Sequence, residues 1–246
     1  MRFAGTLETM MRENTRNLAQ ALLMDADDTL WENNIYFERA IASFIDYLNH
    51  DEYGPSEVRE VLNAIEREHI LEHGYGVACF SQSLLACFER LSVKPMTTAQ
   101  RECVAGFANS IAGHEIELMS GVAETLPKLA SRHTLLLMTK GDEEAQREKV
   151  LRSGLANHFS AIEVVAEKDC GAYRRMCEKH GLTPRRTWMI GNSPRSDINP
   201  ALAAGLHAAY IHHPATWVLE HEPLGPAPEG QRLLELETFA DLRRYF

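Results

Sequence analysis

The chain has 246 residues, 45% of them apolar, which is enough for a sizeable core in one large domain or two small ones. Its formal net charge of −10 argues against a general affinity for nucleic acids or acidic membranes. No apolar run approaches the roughly 20 residues that cross a bilayer. The five cysteines are scattered without a C-x-x-C pair, as is typical of free thiols in a reducing cytosol. We therefore expect a cytoplasmic protein that binds neither nucleic acid nor membrane.

The apolar pattern predicts one strand, then a long helical stretch, then regular alternation of helices and strands. Residues 1–18 form a polar N-terminal extension, and "ALLM" (21–24) has the continuous apolar run of a strand buried on both faces. Residues 35–118 show helical spacing without a strand-like run. After them come the predicted strands "TLLLMT", "AIEVV", "TWMIG" and "HAAYIH", which alternate with predicted helices. The Pro- and Gly-rich segment 221–230 predicts a surface loop before a final helix.

This order of elements predicts an α/β fold with a doubly wound parallel sheet. Its core comprises residues 1–34 and 119–246, and the all-helical insertion 35–118 is expected to form a separate small domain.

Polar side chains follow four of the predicted strands. In open α/β sheets the carboxyl ends of the strands meet at one edge, where ligands bind. The side chains expected at this edge are Asp25 and Asp27 after the first strand, Thr139, Lys168, and Asn192 with Asp197.

These residue types suit the transfer of a phosphoryl group. Asp25 can attack phosphorus and carry the phosphoryl group as an acyl phosphate. Asp27, two residues later in an extended chain, can protonate the leaving oxygen and then deprotonate water. The side chains of Thr139 and Lys168 can hold the phosphoryl oxygens. Carboxylates and backbone oxygens are also suitable ligands for Mg²⁺.

The four motifs resemble those of the haloacid dehalogenase superfamily of phosphohydrolases. "DADDT", "LLLMT", "VVAEKD" and "IGNSPRSDINPALAAG" occur in the family's order, and the resemblance covers nearly all of residues 21 to 215. It implies a Rossmann-like core, with residues 35–118 at the place of the family's helical C1-type cap.

The resemblance also implies roles for single residues. Asp25 is expected to be the nucleophile, Asp27 the general acid and base, and Thr139 and Lys168 the phosphate-binding residues. Mg²⁺ would bind the Asp25 carboxylate, the backbone carbonyl of Asp27 and an acidic group of the fourth motif. Many members have Asp directly after the glycine of that motif. Here the residue is Asn192, so we expect Asp197 to be the charged metal ligand, with Asn192 as a possible ligand.

The sequence thus predicts a Mg²⁺-dependent phosphatase that acts on a small phosphorylated metabolite. A phosphomutase and a catalytically inactive binding or regulatory protein are the alternatives. A dehalogenase is disfavoured because the dehalogenase branch lacks the second aspartate, which is present here as Asp27. Neither the substrate nor the oligomeric state follows from the sequence.

Overall fold

The computed structural model describes residues 19–246, so the predicted N-terminal extension 1–18 lies outside the described residues. Within these residues, six strands form one parallel sheet in the spatial order β3-β2-β1-β4-β5-β6. The strands are β1 (Ala21–Met24), β2 (Thr134–Lys140), β3 (Ala161–Val165), β4 (Thr187–Gly191), β5 (His207–Ile211) and β6 (Leu233–Leu236). This is the strand order of the doubly wound dinucleotide-binding fold, and it confirms the predicted fold class.

The helices fall into two groups along the chain. Four lie between β1 and β2: α1 (Asn34–Leu48), α2 (Pro55–His73), α3 (Val77–Leu91) and α4 (Thr98–Asn109). The others alternate with the strands: α5 (Val122–Ala130), α6 (Glu143–Arg152), α7 (Cys170–His180) and α8 (Asn199–Ala203). Short 3₁₀ segments are Ser110–Gly113, Ala156–His158, Pro184–Arg186, Val218–Glu220 and Phe239–Arg244, and Pro194–Ile198 is a π-helical turn.

The sheet is covered on both faces. In β1, Leu22 and Met24 pack into the apolar cluster on one face, and Leu23 packs into the cluster on the other. Alternate residues of a strand point to opposite faces, so a continuous apolar run is what a doubly covered sheet requires. Burial on both faces therefore explains why the sequence pattern located the central strands.

The helices between β1 and β2 pack around an apolar cluster of their own, which includes Phe44, Leu62 and Leu84. Where the chain enters and leaves this segment, its two connections run side by side. The amide of Glu32 donates to the carbonyl of Glu117 at 2.9 Å. These features support a separate helical domain, although the boundaries at residues 34 and 119 stay a prediction.

Side-chain caps fix the helices that follow β2 and β3. Asp142 accepts a hydrogen bond from the amide of Ala145 at 2.9 Å and begins α6. Asp169 accepts from the amide of Ala172 at 2.6 Å and begins α7. Such caps satisfy amides that have no partner inside the helix. They set where α6 and α7 leave the sheet edge.

The C-terminal region differs from the prediction. Residues 221–230 form no helix or strand, as expected, but the next element is β6, a parallel edge strand that the sequence analysis missed. The predicted final helix is the 3₁₀ segment Phe239–Arg244. β6 has only four residues, too few for a clear periodicity. Among residues 19–246, no helix combines the length and the apolar character that a membrane span needs.

Candidate active site

The carboxyl ends of β1 and β4 and the loop after β3 bring three predicted residues into direct contact. The Lys168 ammonium contacts the Asp25 carboxylate and donates to Oδ1 of Asp197 at 2.8 Å. Lys168 and Asp197 are only 3% and 1% exposed. Burial alone would lower the pKa of Lys168, but the carboxylates of Asp197 and Asp25 outweigh it and raise the pKa. The lysine therefore keeps its positive charge between the two carboxylates.

Asp197 is placed by the π-helical turn after β4. Its Oδ2 atom accepts a hydrogen bond from the amide of Ser193 at 3.0 Å. A Cβ atom on Gly191 would lie 2.2 Å from this oxygen, so only glycine allows the carboxylate to approach the strand end so closely. Burial, together with the nearby Asp25 charge, raises the pKa of Asp197. Both of its oxygens are engaged by protein groups.

Thr29 joins β1 to β4. Its hydroxyl donates to Oδ2 of Asp25 at 2.9 Å and also lies 3.3 Å from Oδ1 of Asn192. The amide nitrogen of Asn192 donates to the hydroxyl of Thr216 at 3.2 Å, which turns the amide oxygen toward Thr29. Asp25 and Asn192 thus present oxygen atoms to the same small region.

This oxygen pair fits the preference of Mg²⁺ for one or two carboxylates plus neutral oxygen ligands. Asp25 supplies charge and Asn192 an uncharged oxygen. The predicted role of Asp197 as a direct ligand competes with its contacts to Lys168 and Ser193 and stays a prediction.

Asp27 lies in a different hydrogen-bond network. Its carboxylate accepts from the indole of Trp31 at 2.7 Å, from Gln146 at 2.9 Å, and from Lys149 at 2.9 Å to each oxygen. Burial alone would raise the pKa of Asp27, but the charge of Lys149 and the hydrogen bonds from Gln146, Lys149 and Trp31 outweigh it and lower the pKa. The Asp27 side chain is therefore ionised at neutral pH in this conformation.

Lys140 links the sheet edge to the helical segment. It donates to Glu220 at 2.7 Å, to Ser196 at 2.8 Å and to the hydroxyl of Tyr75 at 3.1 Å, and it lies 4.2 Å from the centre of the Tyr75 ring. The Tyr75 hydroxyl in turn donates to Glu167 at 2.6 Å. Glu220 also accepts from the hydroxyl of Ser193. Tyr75 lies between α2 and α3, so this network connects that loop to residues beside Lys168 and Asp197.

One cavity of about 560 Å³ joins these groups. Its wall includes all the predicted site residues: Asp25, Asp27, Thr139, Lys168, Asn192 and Asp197. Thr139 is 2% exposed and lies near the end of β2. Helices α1 to α3 contribute another part of the wall, including Phe37, Glu66 and Phe80. The predicted residues thus share a single cleft between the sheet edge and the helices.

Sequence reasoning missed several residues of this cleft. Lys149 and Gln146 bond to Asp27 from α6, and Glu66 lies in the wall formed by α2. Gln146 and Lys149 are three residues apart, so they lie on one side of the helix. The spacing in the sequence indicates that the two side chains share one face of α6, but only the tertiary structure shows that this face contacts Asp27.

A second group of potential metal ligands includes two residues of the cavity wall, Asp28 and Glu32. Asp28, Glu32 and His213 each offer an atom within 4.8 Å of the others. His213 is 3.3 Å from Glu32, and Asp28 accepts hydrogen bonds from the amides of Asn33 and Asn34. These contacts tie the loop after β5 to the segment that enters α1.

Comparison with known proteins shows the same family over most of the chain. The family model of the haloacid dehalogenase-like hydrolases matches residues 19–205. The crystal structure of a haloacid dehalogenase-like family hydrolase from Xanthomonas campestris is similar, with a TM-score of 0.77 and 27% sequence identity. That similarity covers 93% of this chain and 96% of the Xanthomonas chain.

Two curated relatives match over shorter segments. Phosphoserine phosphatase of Thermus thermophilus is 33% identical over 82 residues, which cover 31% of this chain and 33% of the relative. N-acylneuraminate-9-phosphatase of Rattus norvegicus is 32% identical over 96 residues, which cover 37% of this chain and 39% of the relative. The chain therefore spans less than half the length of these two relatives.

Proposed function

Because this chain belongs to the haloacid dehalogenase-like hydrolases, as its motifs indicated, we propose that it is a Mg²⁺-dependent phosphatase of a small phosphorylated metabolite. The observation that carries the proposal is the buried contact of Lys168 with Asp25 and Asp197, in a cleft that also contains Asp27. Two matching relatives are named as phosphatases of small molecules, which supports the same substrate class.

Asp25 is the nucleophile of the proposed reaction. A carboxylate oxygen of Asp25 forms a bond to phosphorus as the bond to the ester oxygen breaks, which gives an aspartyl phosphate. Thr29 and Lys168 orient the Asp25 carboxylate through their contacts with it. Lys168 and the hydroxyl of Thr139 then hold the phosphoryl oxygens, where negative charge is concentrated in the transition state.

Asp27 moves the protons in both steps. As a general acid it gives a proton to the leaving oxygen, so that an alcohol departs. As a general base it takes a proton from the water that attacks the aspartyl phosphate, which regenerates Asp25 and releases phosphate. In the observed conformation Lys149 keeps Asp27 ionised, which suits the second step. The first step requires Asp27 to take up a proton, so we expect its contact with Lys149 to loosen.

Asp25, Asn192 and the backbone carbonyl of Asp27 are the proposed ligands of Mg²⁺, with Asp197 as the further candidate. The bound cation would reduce the repulsion between the Asp25 carboxylate and an anionic ester. Asp27 favours ester hydrolysis over carbon–halogen cleavage, because only an alkoxide leaving group needs a proton.

Residues 35–118 act as the cap in this proposal, since helices α1 to α3 form one wall of the cleft. They would exclude water during phosphoryl transfer and select the leaving group. We place the reaction in the cytoplasm, because all five cysteines are free thiols.

The test is phosphate release from a panel of phosphorylated metabolites, with Mg²⁺ and with a chelator. Wild type and Asp46→Asn, which changes an exposed aspartate on α1, should release phosphate only with metal. Asp25→Asn should fold normally but release none, and phosphoryl label should be trapped on wild type and Asp46→Asn but not on Asp25→Asn. Transfer of label to a second hydroxyl without phosphate release would indicate a mutase. A folded, metal-binding protein that releases none would indicate an inactive binding protein.

A further inference from the structure

A buried carboxyl group on the helical side of the cleft has an oxygen atom without a hydrogen-bond partner in the described part of the chain. Glu66 lies on α2, is 5% exposed and forms part of the cavity wall. Its Oε2 atom is buried and has no hydrogen-bond partner among residues 19–246. Leaving a buried polar atom without a partner is unfavourable, so such an atom at a cavity points to a ligand group.

The surroundings of Glu66 do not supply the missing partner. The cavity wall also includes the ring pair Phe37 and Phe80, whose centres are 5.0 Å apart. Ser83, another residue of the wall, is already satisfied, because its hydroxyl donates to the carbonyl of Cys79 at 3.1 Å and lies 3.0 Å from His69. A ligand in the cavity would therefore meet Glu66 as an available acceptor.

Among residues 19–246, no cation forms an ion pair with Glu66 either. The nearby guanidinium of Arg59 forms a bidentate pair with Glu38, at 2.6 and 2.7 Å. Burial raises the pKa of Glu66 to about 7, and the charges of Arg59 and Arg67 offset this only in part. The ionised form of Glu66 is thus only partly compensated inside the protein.

We propose that Glu66 accepts a hydrogen bond from an ammonium or hydroxyl group on the leaving group of the substrate, so that the protein selects phosphate esters that carry such a donor. This inference rests on the proposed function, because it places the phosphoryl end of the substrate at Asp25. Both residues line the same cavity, whose volume of about 560 Å³ is in the range of sites that bind small ligands.

Carboxylates outnumber ammonium and guanidinium groups in the cavity wall, which favours a donor over a second anion on the leaving group. Glu32, Glu115 and Glu148 also line the cavity. A second anionic group would meet these carboxylates, whereas an ammonium group would be attracted to them.

The test uses alkyl phosphates of increasing chain length that end in a methyl, hydroxyl or ammonium group. The ratio of kcat/KM between donor-bearing and methyl-terminated esters is measured for wild type and for Glu66→Gln, Glu66→Met and Glu68→Gln. Glu68 is exposed on the same helix and is the matched control. Gln keeps a neutral acceptor and Met removes it, so the pair of variants distinguishes an ammonium partner from a hydroxyl partner.

We expect wild type and Glu68→Gln to prefer one donor-bearing chain length by about 10- to 100-fold. A preference for ammonium esters should disappear in both Glu66 variants. A preference for hydroxyl esters should disappear in Glu66→Met but persist in Glu66→Gln. An unchanged ratio in both Glu66 variants, or no preference in wild type, would overturn the inference while the phosphatase assignment stands. If wild type hydrolyses no ester in the series and no p-nitrophenyl phosphate, the phosphatase assignment itself fails.

Discussion

Lys149 donates a hydrogen bond to each carboxylate oxygen of Asp27, both at 2.9 Å. The contact joins α6 to the loop after β1, and it stabilises the ionised form of the carboxyl group that the proposed mechanism uses as an acid and a base. The protonation of Asp27 is therefore coupled to the position of α6.

We predict that Lys149→Met moves the alkaline limb of the kcat/KM profile, which reports ionisations of the free enzyme, to higher pH. Lys149 lowers the pKa of Asp27, so its removal raises that pKa, and protonated Asp27 persists to higher pH. A shift of about one to three units is expected from the loss of a neighbouring opposite charge. Steady-state rates across the pH range measure it.

The control for this shift is Arg147→Met on the same helix. Arg147 is exposed and pairs with Glu143 at 3.0 Å, away from Asp27. Arg147→Met should therefore leave the pH profile unchanged. Identical profiles for wild type and Lys149→Met would mean that Asp27 does not titrate in the rate-limiting step.

We predict that Glu66→Gln stabilises the protein above neutral pH. The pKa of Glu66 is raised by burial to about 7 in the folded state, above its unfolded value, so the folded state binds the proton more tightly. The stability contributed by this proton is present at low pH and is lost as pH rises toward and through about 7.

Glu66→Gln removes that loss, so its free energy of unfolding should exceed that of wild type by roughly 1 to 3 kcal/mol at pH 8 and by little at pH 4. Urea unfolding at the two pH values measures it. Glu68→Gln, on the exposed side of the helix, should match wild type at both. A gain of equal size at both pH values would show that ionisation of Glu66 is not its cause.

The sequence predicted the central sheet and the residues at its edge for a physical reason. Strands covered on both faces are continuous apolar runs, and Asp25, Thr139 and Asn192 occur where such runs end. The sequence analysis missed β6 because a partly exposed edge strand of four residues shows little apolar periodicity.

The partners of the site residues were harder to predict because they are distant in sequence. Lys149 is 122 residues from Asp27, and Lys140 is 65 residues from Tyr75. Such contacts depend on how the helices pack against the sheet edge. Glu66 occurs in an amphipathic helix where an exposed glutamate is the ordinary expectation, and only its packing shows that it is buried.

We predict that Tyr75→Phe loosens the loop between α2 and α3. The Tyr75 hydroxyl accepts from Lys140 at 3.1 Å and donates to Glu167 at 2.6 Å, so the variant removes both links to the sheet edge. The loss of such hydrogen bonds costs about 1 kcal/mol, which increases the population of the open loop about fivefold. Protease cleavage near Gly74 and Gly76 should therefore become about fivefold faster.

The matched control is Tyr53→Phe, because Tyr53 is 41% exposed and lies in the loop before α2. It should leave cleavage near Gly74 unchanged. Equal cleavage rates for wild type and Tyr75→Phe would show that the ring contacts at position 75, with the Lys140 ammonium at 4.2 Å and with Trp217 at 6.3 Å, are sufficient to hold the loop.

The last prediction concerns Lys168, whose ammonium group separates two buried carboxylates. Lys168→Met leaves Asp25 and Asp197 close together without the cation. We expect the free energy of unfolding at pH 8 to fall by about 3 to 5 kcal/mol, which is the usual cost of removing one member of a buried ion pair, and phosphate release to be lost. Lys179→Met is the control, since Lys179 is 63% exposed and pairs with Glu163 at 2.8 Å. It should cost less than about 1 kcal/mol. If the two variants are equally stable in urea, the carboxylates are neutralised by protonation rather than by Lys168.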